Sequence, residues 1–210
     1  MKILSFNVRV WTRNTSKKKA GYWKDRARLI AEEIVRINPD IILFQEMLYP
    51  MTNYIPAAYK KATGCSVSHH IYCRKAFQVL SHEWHMRWCR AVIRTDMGEE
   101  INVFSVHTHW DEDIYRKTCT EITSHLEGGM HNIAGGDWNN IPEVIQPLVK
   151  KPMVLARTGH ITFQDWNTGK EAELDFFACW PQDGKAEIAS DISRLSDHKP
   201  VLLTLDTLLR

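Results

Sequence analysis

The chain has 210 residues, of which 44% are hydrophobic and 25% are charged, and its formal net charge is +2. This length suits a single domain, and this composition supports a normal hydrophobic core and excludes a disordered chain. The net charge is too small to indicate a nucleic-acid partner by itself, so the positions of the basic residues carry more information than their number.

The five cysteines are odd in number and contain no CxxC pair. This usage favours a reducing compartment over a disulfide framework. The first residues, MKILSFNVRV, lack the apolar run of a signal peptide, and no stretch approaches the ~20 apolar residues of a membrane span. We therefore expect a cytoplasmic protein that does not enter a membrane.

The first half of the chain predicts strands separated by two helices. A strand is predicted for KILSFNV, and a basic loop follows it. Apolar residues at helical spacing predict a helix within GYWKDRARLIAEEIVRINPD, which Asn38-Pro39 ends. The almost wholly apolar DIILFQE predicts a strand buried on both faces. We expect a second helix around Met51–Lys61, then three or four strands over residues 69–108 with a hairpin turn at MGEE.

The second half alternates helices with strands. A helix is predicted for DIYRKTCTEITSHLEGG, with Gly128 and Gly129 as its stop. A strand and turn are predicted for HNIAGGDWNN, a short helix for IPEVIQPLV, and a strand for ELDFFACW. The stretch SDHKPVLLTLDTLL predicts a loop and a final strand. No repeat or linker interrupts this order, so residues 1–210 are predicted to form one domain.

The stretch GGDWNN combines two glycines with several polar side chains. Glycines at a strand end let the backbone turn and approach another group closely. Asp137, Asn139 and Asn140 offer oxygen ligands and hydrogen-bond donors, which suit a hard metal ion or a phosphate. Gly, Asn and Asp are also common turn residues, so the stretch alone leaves a plain turn open.

Several predicted strands end in a polar residue that a core would not choose. These are Asn7, Glu46, His109, Asp137 and Asp175, and Asp197-His198 stand just before the last strand. Burying such groups is costly unless they are paired or bound to a metal. If these strand ends meet in one cleft, the scattered polar residues form a single site.

Six short motifs occur in the following order between residues 4 and 201: LSFNV, DIILFQE, VHTHWD, GGDWNN, ELDFF and SDHKPV. Together they resemble the endonuclease/exonuclease/phosphatase superfamily, which has the DNase-I-like fold. The resemblance implies an α+β fold, a four-layer α/β sandwich of two packed mixed β-sheets flanked by helices, with the cleft at one edge. It also implies hydrolysis of a phosphoester with a divalent metal, Mg²⁺ or Mn²⁺.

The resemblance also implies roles for the metal-site and water-binding residues. Asn7, Glu46 and Asp197 match the metal site, with Glu46 as the direct ligand. One firm carboxylate is sufficient for magnesium, which keeps most of its waters. Asp137 and Asn139 match the residues that orient and deprotonate the attacking water.

The remaining matched residues face the phosphate. His198 matches a histidine that contacts the scissile phosphate or transfers a proton, and Asp175 matches the carboxylate that orients it. His109 matches a histidine that donates to a phosphate oxygen. His107 shares a strand face with His109, and it is interpreted as a supporting or substrate residue, with a purely structural role as the alternative. Phe163 is a further candidate substrate contact.

Basic residues are concentrated in the first 28 positions. Arg9, Lys17, Lys18 and Lys19 follow the first predicted strand, so they should overhang the cleft and could neutralise backbone phosphates. A solvated loop is the alternative interpretation of this run.

Two tryptophans stand in the motifs, at Trp110 and Trp138. We interpret both as core residues. Stacking on a nucleic-acid base is the alternative.

A competing set of metal-binding residue types lies between residues 65 and 89. It comprises Cys65, His69, Cys73, His82, His85 and Cys89. The spacing lacks the short CxxC of common zinc sites, and two histidines three residues apart on one strand point to opposite faces. We therefore favour ordinary strand residues over a structural zinc site.

The motifs indicate the reaction class better than the substrate. We predict a metal-dependent phosphodiester hydrolase, foremost a DNase-like nuclease that cleaves DNA by in-line attack of water. We expect a monomer with no obligate protein partner. The alternatives are a phosphodiesterase or phosphatase acting on a small-molecule or lipid phosphoester, an RNase or deadenylase-like enzyme, and an inactive nucleic-acid-binding module.

Overall fold

The structure is a computed structural model that describes residues 1–9, 23–64, 68–149, 153–180, 184–190 and 195–205. The helices are α1 (Trp23–Ile37), α2 (Glu112–Ser124) and α3 (Pro142–Ile145), with a 3₁₀ helix at Tyr49–Tyr54. The strands are β1 (Lys2–Asn7), β2 (Ile41–Gln45), β3 (Tyr59–Gly64), β4 (His70–Arg74), β5 (Gln78–Trp84), β6 (Trp88–Arg94), β7 (Glu100–His107), β8 (His131–Asp137), β9 (Val154–Ala156), β10 (Phe163–Gln164), β11 (Glu171–Ala172), β12 (Asp175–Trp180), β13 (Gly184–Ile188) and β14 (Val201–Leu205).

Most of the strands belong to two six-stranded mixed sheets. The β1 sheet has the order β13-β14-β1-β2-β4-β3, and the β8 sheet has the order β5-β6-β7-β8-β12-β9. Each sheet has one parallel pair at its centre, β1 with β2 and β7 with β8. Strands β10 and β11 form a separate hairpin. Parallel pairing places the carboxyl ends of β1 and β2 side by side, and likewise those of β7 and β8.

The two sheets pack face to face over a shared apolar core. Ile3 and Leu43 of the β1 sheet are fully buried in the same cluster as Val103 and Phe177 of the β8 sheet. Because successive side chains on a strand point to opposite faces, Leu4 lies on the other side of β1, away from this core. The outer face of each sheet therefore needs a cover of its own.

Helices cover the two outer faces. Ile30 and Ile34, one turn apart on α1, pack in a buried cluster with Phe44 of β2. Cys119 of α2 lies in a buried cluster with Phe176 of β12 on the other side of the molecule. The described residues thus form four layers, helix on sheet on sheet on helix, and the predicted DNase-I-like sandwich is confirmed.

The glycines of GGDWNN lie inside β8 and not in a turn after it. A Cβ on Gly135 would overlap the ring of Phe177 and come within 2.9 Å of Leu43 Cδ1 on the facing sheet. A Cβ on Gly136 would overlap the carbonyl oxygen of Val106. These glycines therefore let β8 approach both its neighbours and the opposite sheet just before Asp137.

Two predicted helix positions are wrong. Residues 51–61 form the end of the 3₁₀ helix and the first half of β3, and the prolines at positions 50 and 56 explain why no α-helix spans this stretch. Helix α2 ends at Ser124 and not at the glycine pair, because the His125 N–H already bonds back to the Ile122 carbonyl at 3.1 Å.

Of the residues in this set that the structure describes, Cys73, His82 and Cys89 lie in strands β4, β5 and β6, whereas His69 and His85 lie just outside strands, and none of the five joins a potential metal cluster. Cys73 and Cys89 are buried in the core between the sheets. His85 stacks on Trp88 with ring centroids 3.9 Å apart. Cys65 lies outside the described residues.

Among the described residues, no helix combines the length and the apolar character needed to cross a membrane.

Gly135→Ala tests the close approach of the sheets. The added methyl group has no space, so we expect the free energy of unfolding to fall by about 1–3 kcal/mol or more. Gly128→Ala is the matched control, since no atom lies within 4 Å of its Cβ position. Urea unfolding of both variants measures the difference. Equal stability would show that β8 tolerates a wider separation of the sheets.

Candidate functional site

The polar strand ends meet at one edge of the sandwich. Asn7 ends β1 in register with Gln45 of β2, so Glu46 follows at the same edge. On the facing sheet Asp137 ends β8, opposite both His107 of β7 and Asp175 of β12. The parallel strand pairs of the two sheets therefore deliver their terminal side chains to one place.

The Asn7 amide joins carboxylates from both sheets. Its Nδ2 donates to Glu46 Oε1 at 3.1 Å and to Asp137 Oδ2 at 2.9 Å. Its Oδ1 accepts from the Arg9 N–H at 2.9 Å, and its backbone carbonyl accepts from Ser196 Oγ at 2.8 Å. With no solvent-exposed surface, Asn7 is held on every side and fixes the distance between the two carboxylates.

The turn after β8 clamps Asp137. Its Oδ1 accepts the backbone N–H of Asn139 at 2.9 Å, and its Oδ2 lies 3.3 Å from Asn139 Nδ2. Asn139 also donates to the Thr108 carbonyl at 3.1 Å. Asn139 and Glu46 both have positive φ angles, 49° and 53°. Such backbone conformations are costly for residues other than glycine and concentrate at functional sites.

A buried histidine–aspartate pair stands next to Asp137. His198 Nδ1 lies 2.8 Å from Asp175 Oδ2, and His198 Nε2 lies 3.7 Å from Asp137 Oδ2. The Asp175 N–H donates to Thr162 Oγ1 at 2.9 Å, which fixes the start of β12. The Phe163 ring covers the imidazole, with centroids 4.8 Å apart. The His198 imidazole is therefore held in one orientation, with Nε2 directed at Asp137.

Burial alone would lower the pKa of His198, but the carboxylates of Asp175 and Asp137 outweigh it and raise this pKa well above its ordinary value. Burial raises the pKa of Asp175, against the lowering effect of the same imidazole. These two pKa directions favour an imidazolium beside a carboxylate, from which His198 Nε2 would donate a charged hydrogen bond.

Two groups of side chains in the described residues could hold a metal ion. They are Glu46 with His107 and Asp137, and Asp137 with Asp175 and His198, and within each group the ligand atoms lie within 4.8 Å of one another. Within the described part of the chain, the buried Glu46 Oε2 has no hydrogen-bond partner. An orphaned carboxylate oxygen beside a second carboxylate fits a divalent cation, which would supply the missing contact.

Asp197 and Arg9 pair with each other at the rim of this site. Arg9 Nη1 lies 2.7 Å from Asp197 Oδ2, and the Arg9 guanidinium lies 4.4 Å from the Trp166 ring centroid. Burial raises the pKa of Asp197, against the lowering effects of His198 and Arg9. Asp197 joins neither metal-capable group of the described residues, so its predicted metal role stays a prediction.

His109 is not part of either metal-capable group of the described residues. Its Nδ1 accepts the Asp111 N–H at 3.0 Å, and its ring stacks on Trp110 at 3.9 Å.

Trp110 is 74% exposed, so its interpretation as a core residue is wrong. Trp138 is fully buried against Phe176, and its interpretation as a core residue is confirmed. Lys17, Lys18 and Lys19 lie outside the described residues.

The sequence did not single out three residues that hold the site together, namely Thr162, Ser196 and Arg26. Arg26 is one of the basic residues concentrated in the first 28 positions, yet it is only 5% exposed. Its Nε donates to the Leu195 carbonyl at 2.7 Å, and Nη2 donates to the Val8 carbonyl. The sequence signal that could have indicated this burial was the position of Arg26 on the predicted helix with apolar residues at helical spacing. It joins the chain after Asn7 to the segment that carries Ser196.

No protein-family model and no curated protein matches the chain. Solved structures, in contrast, match it over nearly its whole length. An endonuclease/exonuclease/phosphatase from Bacteroides vulgatus has a TM-score of 0.82 and 21% identity, covering 98% of both chains. TDP2 of D. rerio, complexed with single strand DNA product, has a TM-score of 0.75 and 14% identity over 99% of both. A mannosyl-6-phosphatase of Bacteroides thetaiotaomicron has a TM-score of 0.72 and 17% identity over 100% of both.

These likenesses confirm the fold that the six motifs implied. The chain has the DNase-I-like fold of endonuclease/exonuclease/phosphatase proteins, over nearly its whole length.

Arg26→Lys tests the internal support of the site. Lysine keeps the charge but lacks the planar fork that reaches carbonyls on two segments. We expect the free energy of unfolding to fall by about 2 kcal/mol, since buried hydrogen bonds from a charged group are lost. Arg28→Lys, whose side chain is 68% exposed on the same helix, should leave stability unchanged. Chemical denaturation compares the two, and equal values would refute the supporting role.

Proposed function

We propose that the chain is a divalent-metal-dependent phosphoester hydrolase. The observation that carries this proposal is the position of Asp137. Its carboxylate stands between Glu46 with Asn7 on one side and the His198–Asp175 pair on the other. A base, a cationic hydrogen-bond donor and a metal-capable carboxylate within one small volume are the groups that an in-line displacement at phosphorus needs.

Glu46 is the residue that would hold the ion, supported by Asn7. When bound, a divalent cation would draw charge from a phosphoryl oxygen of the substrate. Either Mg²⁺ or Mn²⁺ meets this requirement, since both accept oxygen ligands.

The chain's own groups would handle the water and the developing charge. Asp137 accepts a proton from the attacking water, whose oxygen bonds to phosphorus as the ester P–O bond breaks. Asn139 holds the Asp137 carboxylate in place through its N–H. The leaving oxygen takes up a proton from solvent water, and His198 Nε2 donates a hydrogen bond to a phosphoryl oxygen whose negative charge increases in the transition state.

For the substrate we propose single-stranded DNA, with DNA cleavage by a nuclease as the finer form of the function. Trp110 favours it, because this exposed indole follows β7 by only three residues and stacks on His109 at the site edge. Exposed aromatic rings are platforms for bases of single strands. The D. rerio TDP2 structure of the same fold holds a single strand DNA product.

A small phosphoester is the second candidate. The mannosyl-6-phosphatase from Bacteroides thetaiotaomicron has the same fold over the full length of both chains. Arg9 also supports this candidate, because its guanidinium is already neutralised by Asp197 and is therefore a weaker anchor for a polymer backbone.

Asp137→Asn tests the catalytic base. The amide keeps the size and the hydrogen bond from Asn139 but cannot take the proton, so kcat should fall by about 10²-fold or more.

Chelation with EDTA should abolish turnover of the wild type on every phosphoester, and Mg²⁺ or Mn²⁺ should restore it. Assays of single-stranded DNA, duplex DNA, RNA, mannose 6-phosphate and a chromogenic phosphodiester measure both effects. Undiminished turnover in EDTA would exclude the metal.

Trp110→Ala separates the two substrate classes. Loss of one stacked base should raise KM for single-stranded DNA by ~5- to 150-fold, while turnover of a small chromogenic phosphodiester should stay within twofold of wild type. Met97→Ala is the control, since Met97 is also exposed, at 82%, but lies in the turn at the opposite end of β7. An unchanged KM for DNA in Trp110→Ala would favour the small phosphoester.

A further inference from the structure

His107 is the one nitrogen donor of the metal-capable group formed with Glu46 and Asp137 within the described residues. It ends β7, where its backbone N–H donates to the Arg87 carbonyl at 2.8 Å. Strand pairing with Asp137 holds it from the other side. Its side chain is 14% exposed. The backbone of His107 is therefore fixed on both sides, and its ring stands beside the two carboxylates.

The separations of the His107 ring suit a shared ion better than direct hydrogen bonds. Nε2 lies 3.7 Å from Glu46 Oε1 and 3.6 Å from Asp137 Oδ2. Hydrogen bonds between nitrogen and oxygen are rarely longer than about 3.2 Å. Two donor atoms each about 2.1 Å from one cation are roughly 3.0–3.4 Å apart, so a contraction of a few tenths of an ångström brings these atoms to coordination distance.

The carboxylate that His107 approaches through Oε1 also has a second oxygen, Oε2. Glu46 Oε2 is buried and has no hydrogen-bond partner among the residues that the structure describes, while Oε1 takes a hydrogen bond from Asn7. Glu46 thus keeps an oxygen for a cation, on the side chain that His107 approaches. An imidazole is a poor companion for Mg²⁺, which prefers oxygen ligands, and a good one for Mn²⁺, Co²⁺ and Zn²⁺.

We propose that His107 is a ligand of the same ion as Glu46, and that its nitrogen makes the site selective for transition-metal divalent ions over Mg²⁺. This inference rests on the proposed function, because it concerns the ion of that same site. His107 is thereby a specificity-determining residue for the metal, and the Glu46 carboxylate is the ligand on which binding of any divalent ion depends.

Pulsed EPR of the protein loaded with one equivalent of Mn²⁺ tests the ligand directly. A coordinated imidazole gives a ¹⁴N coupling in the electron spin-echo envelope. We expect this coupling in the wild type, its loss in His107→Asn and in His107→Gln, and its retention in the control His82→Gln, whose side chain is exposed on the edge strand β5. Thermal unfolding identifies which of the two His107 variants is folded well enough to interpret.

Calorimetry of metal binding supplies the second readout. His107→Asn should weaken binding of Mn²⁺ and Zn²⁺ by ~10-fold or more, since a nitrogen ligand is replaced by an oxygen donor, and should change Mg²⁺ affinity by less than about threefold. Glu46→Gln should weaken all three ions. This pattern, together with the loss of the nitrogen coupling, supports His107 as a ligand.

Different failures identify different errors. Mn²⁺ binding that depends on Glu46 but shows no nitrogen coupling overturns the role of His107 and leaves the proposed function standing. Coupling that persists in a folded His107 variant assigns the nitrogen to another histidine and overturns the inference as well. If no divalent ion binds, or if Glu46→Gln binds like wild type, the metal-dependent function itself fails.

Discussion

The hydrogen bonds from the Asn7 amide to Glu46 and Asp137 are the interaction on which the site depends. One carboxylate follows β2 in the β1 sheet, and the other ends β8 in the facing sheet, and a single Nδ2 donates to both. A change in the packing of the sheets would separate these two acceptors. The inter-sheet core and the glycines of β8 therefore determine the geometry of the site as directly as the polar residues do.

This arrangement has an energetic cost that the fold tolerates. Asp137 and Asp175 are almost wholly buried, and charged groups in such positions are unfavourable without partners. His198 and Asn139 provide partners for both carboxylates, and the positive φ of Asn139 adds local backbone strain. Among the described residues, Glu46 Oε2 and Asp175 Oδ1 have no hydrogen-bond partner. Buried charges and strained backbone of this kind persist where many surrounding contacts hold the conformation, which is typical of functional sites.

Sequence patterns predicted the long elements and the polar ends of β1, β2 and β8, because helical periodicity and a polar residue after an apolar run are local signals. Asp175 was wrongly predicted to end a strand, since it begins β12. The hairpin β10–β11 was missed, since two-residue strands carry no period. The sequence could not show which of His107 and His109 lies beside the carboxylates of Glu46 and Asp137, because residues two apart on a strand share a face. Strand β7 ends at His107, beyond which His109 turns to stack on Trp110. Trp110 was misplaced because an apolar residue beyond a strand end need not be buried.

Anomalous diffraction from crystals soaked in Mn²⁺ tests the central claim most directly, that both sheets build one metal-dependent site. We expect a strong anomalous peak about 2.0–2.3 Å from a Glu46 oxygen, between the β1 sheet and the β8 sheet. The Asp137 carboxylate should face the same peak. An ordered crystal with no peak near Glu46, or with its strongest peak elsewhere on the molecule, would contradict the account.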